Sequence, residues 1–265
     1  MPQAIDHIVI AVPDLDAAVD DAQRALGLAF TSGGEHPGAG TANRIAFLGE
    51  AYLELIGVTD REAAAQRPIG AAALRALEAG GGLATYALRE DHLETTVAEL
   101  RANASPIGPV EHGSRRRPDG ETVNWWTATL ERLGPDRPPF LIRHAYAGAE
   151  WGAEALAERR AFRHPLGSPV SLVRLDIATP DPPALAADYH AALGLEFWAV
   201  ADLAVCTVGP HTIRLRPTAE MQFPAAVLLG AQLPEPRSVE LLGLRFGFEP
   251  VTAEAVGAAG ASEAG

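Results

Sequence analysis

A glutamate inside an apolar strand is the first residue of this sequence that suggests chemistry. Glu54 lies between Leu53 and Leu55 in a run of β-forming residues. A buried carboxylate is costly unless it is paired with a cation or coordinates a metal ion. Arg44 is the nearest candidate partner, so a salt bridge and a metal ligand stand as equal alternatives. His7 opens the first strand, where a histidine is either a hydrogen-bonded core residue or a ligand.

A glycine-rich segment, 33–40, carries the next candidate. His36 lies in this segment among four glycines, where the backbone can approach a bound molecule closely. A flexible surface turn is the equal alternative. The segment is not a phosphate loop, because it lacks the GxGxxG spacing and no lysine follows it. Thr41 and Asn43 begin the next strand, from which either side chain can hydrogen-bond a ligand oxygen.

Three consecutive arginines, 115–117, precede a turn signal and two tryptophans. Arg115 and Arg117 alternate along the chain, so they share one face of a strand. Such a pair can hold a carboxylate by bidentate hydrogen bonds, although a solvated turn is the alternative interpretation. Trp125 and Trp126 face opposite sides, and one of them can wall a pocket. We therefore expect Arg115, Arg117 and Trp125, together with Asn43, to contact a substrate.

The charge and cysteine content exclude several classes of function. The 265 residues include 34 acidic and 21 basic residues, for a net charge of −13, and every basic residue is an arginine. Lysine Schiff-base chemistry is therefore excluded, and binding to nucleic acid or to an anionic membrane is disfavoured. The single cysteine, Cys206, permits neither an intramolecular disulfide nor a multi-cysteine zinc site. Without a leader pattern or an apolar run of 18 residues, we expect a cytoplasmic protein.

The candidate residues are positioned by a β-α-β-β pattern in residues 1–60. A β-branched strand over 5–12 ends at a proline, and Asp14 then caps a helix that stops at Gly27. Two strands follow at 42–48 and 52–58. An alanine-rich helix, broken at Pro68, spans most of the linker 61–82 and leads to three consecutive glycines. The expected fold class is α+β.

The pattern then repeats twice. Residues 83–147 contain a strand, a helix over 92–103, a hairpin about Pro118-Asp119-Gly120 and a closing strand at 139–146. After a connector at 148–169, a shift of 167 residues superimposes 10–28 on 177–195 without a gap, which defines a third module at 170–250. Residues 251–265 are low in complexity, and we expect a flexible tail.

A repeated βαβββ unit of this kind resembles the vicinal oxygen chelate (VOC) superfamily, and more narrowly its glyoxalase-like domain branch. The residues that carry the resemblance are Asp6-His7, the segment 34–43, Glu54, the segment 115–120, Trp125, the segment 139–142 and His164-Pro165. The resemblance implies that modules 1–60 and 83–147 pair, so that their curved sheets form a cleft. Fold does not settle function in this superfamily, which contains lyases, isomerases, dioxygenases and sequestration proteins.

The resemblance also implies a divalent-metal site with His7 and Glu54 as ligands. The second module breaks the expected four-ligand set, because it places Thr85 opposite His7 and Ile142 or Arg143 opposite Glu54. The third module places Arg174 and Arg214 at these two positions. A third ligand would come from His36, His112 or His144, since catalytic metal sites usually keep at least three protein ligands.

Two functions follow as hypotheses. The first is a metal-assisted lyase or isomerase acting on a small molecule with carbonyl or carboxylate oxygens, with His36 and Glu54 as catalytic residues and His7, Glu54 and His36 as metal ligands. The metal is Zn, Mn, Ni, Fe or Mg, and a protein without metal is equally plausible. The second is a metal-free protein that binds or sequesters a small molecule. A metal-free acid–base pair of His7 and Glu54 is a third possibility, and homodimerisation is a family expectation.

Overall fold

The computed structural model describes residues 1–252, which form fifteen strands and seven α-helices. The predicted tail at 251–265 lies almost wholly outside the described residues. The strands are β1 (Ala4–Ala11), β2 (Gly34–His36), β3 (Thr41–Leu48), β4 (Ala51–Val58), β5 (Gly82–Arg89), β6 (Val110–Arg116), β7 (Thr122–Ala128), β8 (Phe140–His144), β9 (Val170–Thr179), β10 (Trp198–Val200), β11 (Leu203–Val208), β12 (His211–Pro217), β13 (Ala225–Ala231), β14 (Arg237–Leu241) and β15 (Leu244–Pro250). The helices are α1 (Leu15–Leu26), α2 (Arg61–Ala65), α3 (Pro68–Glu78), α4 (Leu93–Ala102), α5 (Gly148–Trp151), α6 (Ala153–Ala161) and α7 (Pro182–Leu193).

The first two modules form a closed barrel with the strand order β1-β4-β3-β2-β6-β7-β8-β5. Within each module the first strand pairs in parallel with the last, and the two first strands, β1 and β5, pair antiparallel at the module junction. The two curved sheets therefore meet along both edges and enclose a space. The expected mixed fold with curved sheets is confirmed, and the cleft is the interior of this barrel.

The third module belongs to a seven-stranded sheet with the order β10-β11-β12-β9-β13-β15-β14. This order matches β2-β3-β4-β1-β5-β8-β7 of the barrel position by position, so the sheet repeats the barrel except for the counterpart of β6. The internal repeat extends to the helix caps. Asp14 accepts hydrogen bonds from the first turn of α1, and Asp181 does the same for α7. Both helices end at a glycine with a positive φ.

Two segments differ from the sequence prediction in local structure. The glycine-rich segment contains strand β2, which pairs with β3 and β6, so that His36 lies on a short strand rather than in an open loop. The connector at 148–169 contains α5 and α6. One continuous hydrophobic core joins the barrel to the seven-stranded sheet, and the buried Tyr86 hydroxyl donates a hydrogen bond of 2.8 Å to Tyr189 across this junction.

Candidate functional site

The barrel encloses a cavity of about 370 Å³. Six of the seven residues singled out from the sequence line it: His7, His36, Asn43, Glu54, Arg115 and Trp125. Arg117 does not line this cavity and lies instead at a neighbouring one. The cavity is accessible to a small molecule, and its walls combine aromatic and aliphatic side chains with a small polar cluster, as is typical of ligand sites.

Glu54 is the centre of the polar cluster. Its carboxylate lies 3.5 Å from Nε2 of His7 and 3.9 Å from Nε2 of His36. The Nδ2 amide of Asn43 donates a hydrogen bond of 2.7 Å to Glu54 Oε1. The alternative partner considered for Glu54 was Arg44, which instead pairs with Asp16 at 2.9 Å outside the barrel. The buried carboxylate is thus surrounded by two imidazoles and an amide.

Each imidazole is oriented through its other ring nitrogen. Nδ1 of His7 donates to the carboxylate of Asp6 at 2.7 Å, and Nδ1 of His36 lies 2.7 Å from the hydroxyl of Thr41. Because a carboxylate only accepts, the Asp6 contact places the proton of a neutral His7 on Nδ1 and leaves the lone pair of Nε2 towards Glu54. Outer partners of this kind fix both the tautomer and the ring orientation of a histidine ligand or base.

Asp6 binds a second histidine, His144, in addition to His7. Nε2 of His144, on the last strand of the second module, donates to both Asp6 oxygens at 3.0 and 3.1 Å. Asp6 is only 2% exposed. A register shift between Ile5 and His7 leaves Asp6 as an extra residue opposite β5, and such a bulge re-aims a side chain. This local irregularity explains how two consecutive residues of one strand come into contact.

Burial and neighbouring charges shift the pKa values of His36, Asp6 and Tyr52. Burial is the main cause that lowers the pKa of His36, and Arg115 and His7 lower it further, while Glu54 opposes them. For Asp6, burial alone would raise the pKa, but the charges and hydrogen bonds of His144 and His7 hold it far below its usual range. Burial raises the pKa of Tyr52 well above its ordinary value. At neutral pH, Asp6 is therefore ionised, whereas His36 and Tyr52 are neutral.

Aromatic rings form the walls around the cluster. Tyr52 stacks on His7 with ring centroids 4.5 Å apart, and Trp125 meets His36 edge-on at 5.9 Å. Phe140 also approaches His7, at 5.5 Å. Helix α5 adds a further aromatic side chain, Trp151, which stacks on His144 with ring centroids 3.4 Å apart. These contacts restrict the rings and keep most of the cavity surface apolar.

The two predicted carboxylate-binding arginines share a face, as their spacing predicts, and both bind Glu150 of α5. Arg115 is 3% exposed and donates to Glu150 Oε1 and to the backbone carbonyl of Gly33, the latter at 2.8 Å. Arg117 donates to Glu150 Oε2 at 3.1 Å and also pairs with Asp119 at 2.9 Å. A carboxylate of the protein thus already lies where a ligand carboxylate was expected.

The donor types around Glu54 suit a divalent cation, because two imidazole nitrogens face one carboxylate and Asp6 sets the tautomer of one of them, His7. Ligand atoms about 2.0–2.2 Å from one metal are roughly 3–3.5 Å apart, and the His36–Glu54 distance of 3.9 Å exceeds that range. Within residues 1–252, no three His, Cys, Asp or Glu side chains have the arrangement of a metal site. The chemistry of the donors therefore fits a metal, and their spacing is wider than a bound metal requires.

The strand register identifies the matching positions in the other modules. The antiparallel pairs His7–Ala87 and Val9–Thr85 relate His7 to Thr85 by a local two-fold axis, as the sequence alignment predicts. By the same axis Phe140, rather than Ile142 or Arg143, corresponds to Glu54, since Ala87 pairs with Phe140 as Val9 pairs with Glu54. At these two matched positions, only the first half of the barrel carries residues that could bind a metal.

In the seven-stranded sheet, Asp176 pairs with Arg214 as Val9 pairs with Glu54. Arg214 therefore stands at the Glu54 position of the third module, and Arg174, two residues before Asp176, stands at the His7 position. The remaining third-ligand candidate, His112, also lines the cavity and is hydrogen-bonded to Asn124 at 2.9 Å. Of His36, His112 and His144, His36 is the one whose imidazole faces Glu54.

Sequence reasoning missed several residues of the site. Asp6 was noted only as part of the motif Asp6-His7. The bulge that turns its side chain inwards has no sequence signature, so the neighbouring His7 was the one feature that could have marked Asp6 as a site residue. Tyr52 was read as part of an apolar strand. Glu150 lies in the connector 35 residues after its partner Arg115, Trp151 lies 99 residues after Tyr52, and nothing in their local pattern indicates these contacts.

The fold and the site together define a βαβββ barrel protein with a small-molecule cavity and a buried histidine–carboxylate cluster. A model of the glyoxalase-like domain family matches residues 5–193. The chain therefore belongs to the glyoxalase-like domain family of the VOC superfamily, which confirms the resemblance seen in the sequence. No curated protein matches the chain in sequence. No helix among residues 1–252 is long and apolar enough to span a membrane.

One solved structure supports the fold over most of its length, and two others are similar to about half of the chain. A hypothetical protein from Staphylococcus aureus is similar over 93% of this chain and 99% of its own, with 16% identity and a TM-score of 0.75. Methylmalonyl-CoA epimerase from Streptomyces coelicolor, in complex with 2-nitronate-propionyl-CoA, is similar over 55% of this chain and 99% of its own, with 19% identity and a TM-score of 0.42. The Mycobacterium tuberculosis epimerase matches 54% of this chain and 89% of its own, with 19% identity and the same TM-score.

Proposed function

We propose that this protein is a lyase or isomerase that acts on a small molecule carrying carbonyl and carboxylate oxygens. The observation that supports the proposal is the convergence of His7, His36, Asn43 and Glu54 inside one largely apolar cavity. Buried titratable groups with shifted protonation, gathered in a cavity, are characteristic of catalytic sites. The small volume, about 370 Å³, favours a compact substrate.

The neutral imidazole of His36 suits the role of general base or of a metal ligand, because its lowered pKa leaves a lone pair at neutral pH. His7 is held by Asp6 with Nε2 towards Glu54. Asn43 positions the Glu54 carboxylate and would also hydrogen-bond a ligand oxygen. If a divalent cation is bound, His7, His36 and Glu54 would hold it, and it would polarise a substrate oxygen as a Lewis acid.

The substrate carboxylate would bind at Arg115, with Trp125 as the adjacent wall, whereas Arg117, which the sequence predicts for the same role, lines only the neighbouring cavity. Because Glu150 already occupies both guanidinium groups, a substrate carboxylate would have to share or replace that contact. Arg115 also contacts the backbone of Gly33. That second contact would keep the guanidinium in place during such an exchange.

A metal-free binding protein is the second candidate function. The specific observation in its favour is that the protein itself provides Glu54 with a hydrogen bond of 2.7 Å, from the side-chain amide of Asn43. A buried carboxylate that accepts a hydrogen bond from the protein depends less on a cation for its stability. In such a protein, the same cavity would retain a small molecule without transforming it.

Metal analysis of tag-free protein separates the two functions. The lyase or isomerase predicts about one tightly bound divalent ion per chain, among Zn, Mn, Ni, Fe and Mg, that is lost in His7→Ala and in Glu54→Ala. His112→Ala is the matched control, because His112 lines the same cavity but is bound to Asn124. If no variant changes the metal content and the wild type holds no stoichiometric ion, while ligand binding survives in both variants, the metal-assisted function is refuted. A pH–rate profile insensitive to chelators would instead support metal-free acid–base chemistry by His7 and Glu54.

A further inference from the structure

A second cavity of about 380 Å³ lies beside the barrel cavity, between the segment 29–33, strands β3 and β6, and the connector helices. Arg115 and Glu150 line both cavities and so form part of the wall between them. The second cavity is bordered by three phenylalanines, Phe30, Phe47 and Phe162, and by the additional arginines Arg117 and Arg159. Aromatic side chains and the buried guanidinium groups of Arg115 and Arg159 therefore line one open cavity.

Two glutamates line this cavity beside the three arginines, and of the two Glu150 is buried whereas Glu158 is exposed. Glu150, only 7% exposed, uses one carboxylate oxygen for Arg115 and the other for Arg117. Arg117 also has the exposed acids Asp119 and Glu121 within ion-pair distance. The one strongly buried carboxylate of the cavity wall is therefore already bound by two guanidinium groups.

Arg159 is the arginine of this cavity wall whose guanidinium group has no carboxylate partner among the described residues. It is 8% exposed, and among residues 1–252 it forms no ion pair. Its guanidinium donates to the backbone carbonyl of Glu150 and lies 3.7 Å from the ring centre of Phe47 and 4.5 Å from that of Trp151. Its NH1 atom has no hydrogen-bond partner. Burial lowers the pKa of Arg159 to about 10, which still leaves the group charged at neutral pH.

A buried cation without an acidic partner is destabilising, and cation–π contacts compensate only part of the desolvation cost. Guanidinium groups bind carboxylates in a planar, bidentate geometry. A monovalent anion would supply one acidic partner to the single guanidinium of Arg159, whereas a phosphate dianion would bring a second charge next to Glu150 and Glu158. The three phenylalanines favour an apolar or aromatic body on that anion.

We propose that the second cavity binds a small aromatic or branched monocarboxylate, whose carboxylate pairs with Arg159 and whose apolar body packs against Phe30, Phe47 and Phe162. The site is separate from the histidine–glutamate cluster and does not depend on the function proposed for it. Glu150 lies between the two sites, so an anion at Arg159 would change the electrostatic environment of Glu150 and Arg115 in the wall of the barrel cavity.

Calorimetric titration with benzoate, benzamide and inorganic phosphate tests the proposal. Wild-type protein should bind benzoate at least tenfold more tightly than benzamide, which has the same shape but no charge, and more tightly than phosphate. Arg159→Met should lose benzoate binding by at least tenfold. Arg160→Met is the matched control, because Arg160 is the next residue of α6, pairs with Glu50 and does not line the cavity. Its benzoate affinity should equal that of the wild type.

Two further variants keep the proposal falsifiable. Removing an uncompensated buried charge should leave the melting temperature of Arg159→Met unchanged or raised, so lost binding would not reflect unfolding. Glu150→Gln should bind benzoate at least threefold more tightly, because it removes the competing carboxylate. The proposal is overturned if benzamide or phosphate binds as well as benzoate, if Arg159→Met retains wild-type affinity, or if His7→Ala abolishes benzoate binding, which would place the anion in the barrel cavity.

Discussion

The substitution Asp6→Asn tests whether one buried carboxylate organises the site. Asp6 accepts hydrogen bonds from His7 and from His144, and it is almost fully buried. A hydrogen bond to a charged group contributes about 1.5–3 kcal/mol, and an unsatisfied buried donor costs about 1–3 kcal/mol. Asparagine keeps one acceptor but turns an amide donor towards one of the two imidazole N–H groups. We therefore expect Asp6→Asn to lower the free energy of unfolding by about 2–4 kcal/mol.

Urea unfolding followed by tryptophan fluorescence measures this loss, and nitrogen-detected NMR of the imidazoles reports the tautomers. Wild-type His7 should carry its proton on Nδ1 and His144 on Nε2, and Asp6→Asn should change at least one of the two. Asp16→Asn is the control, because Asp16 pairs with Arg44 on the surface and such pairs contribute little. A loss below about 0.5 kcal/mol with unchanged tautomers would refute the organising role of Asp6.

Three more predictions follow from packing and protonation. Burial lowers the pKa of His211 to about 4. The free energy of unfolding should therefore fall as the pH is lowered from 6.5 towards 4, by roughly 1 kcal/mol per pH unit, and urea titrations of His211→Gln should show a flatter pH dependence. Gly33 and Gly38 share a positive φ, but only at Gly33 would a Cβ atom collide with backbone. Gly38→Ala should cost about 1 kcal/mol and Gly33→Ala clearly more, and equal melting temperatures would contradict this. Tyr86→Phe should cost about 1–3 kcal/mol by leaving the Tyr189 hydroxyl unpartnered, and Tyr189→Phe added to it should recover part of the loss in thermal melts.

The repeated βαβββ pattern could be predicted because its signals are local. A β-branched strand that ends at a proline, a capping aspartate and a terminal glycine indicate one supersecondary unit, and the 167-residue shift repeats all three. His7, Glu54 and Asn43 were singled out as polar side chains on predicted strands, and all three line one cavity. Local patterns of this kind depend on the side-chain period of strands and helices, which the sequence displays directly.

The features that could not be predicted depend on distant contacts. The bulge at Asp6 arises from pairing with β5, about 80 residues away, and neither strand reveals it alone. Arg115 was recognised as a carboxylate-binding residue, but its partner Glu150 lies in a connector whose position is set by tertiary packing. His36 was placed in a loop, because a strand of three residues beside glycines shows no alternation, and the structure reveals β2 only by its three pairs with β3 and its one pair with β6.

The closure of the barrel has a consequence for how a ligand enters. Strands β2 and β6 are joined through a single register pair, Glu35 with Arg116, whereas β3 and β4 share eight. A short ladder opens at a lower free energy than a long one, so this seam should show the fastest amide hydrogen exchange among the inter-strand joints of the barrel. His36 and Arg115 stand next to the seam pair in sequence. Local opening there would admit a molecule directly to the candidate base, while the long ladders preserve the rest of the barrel.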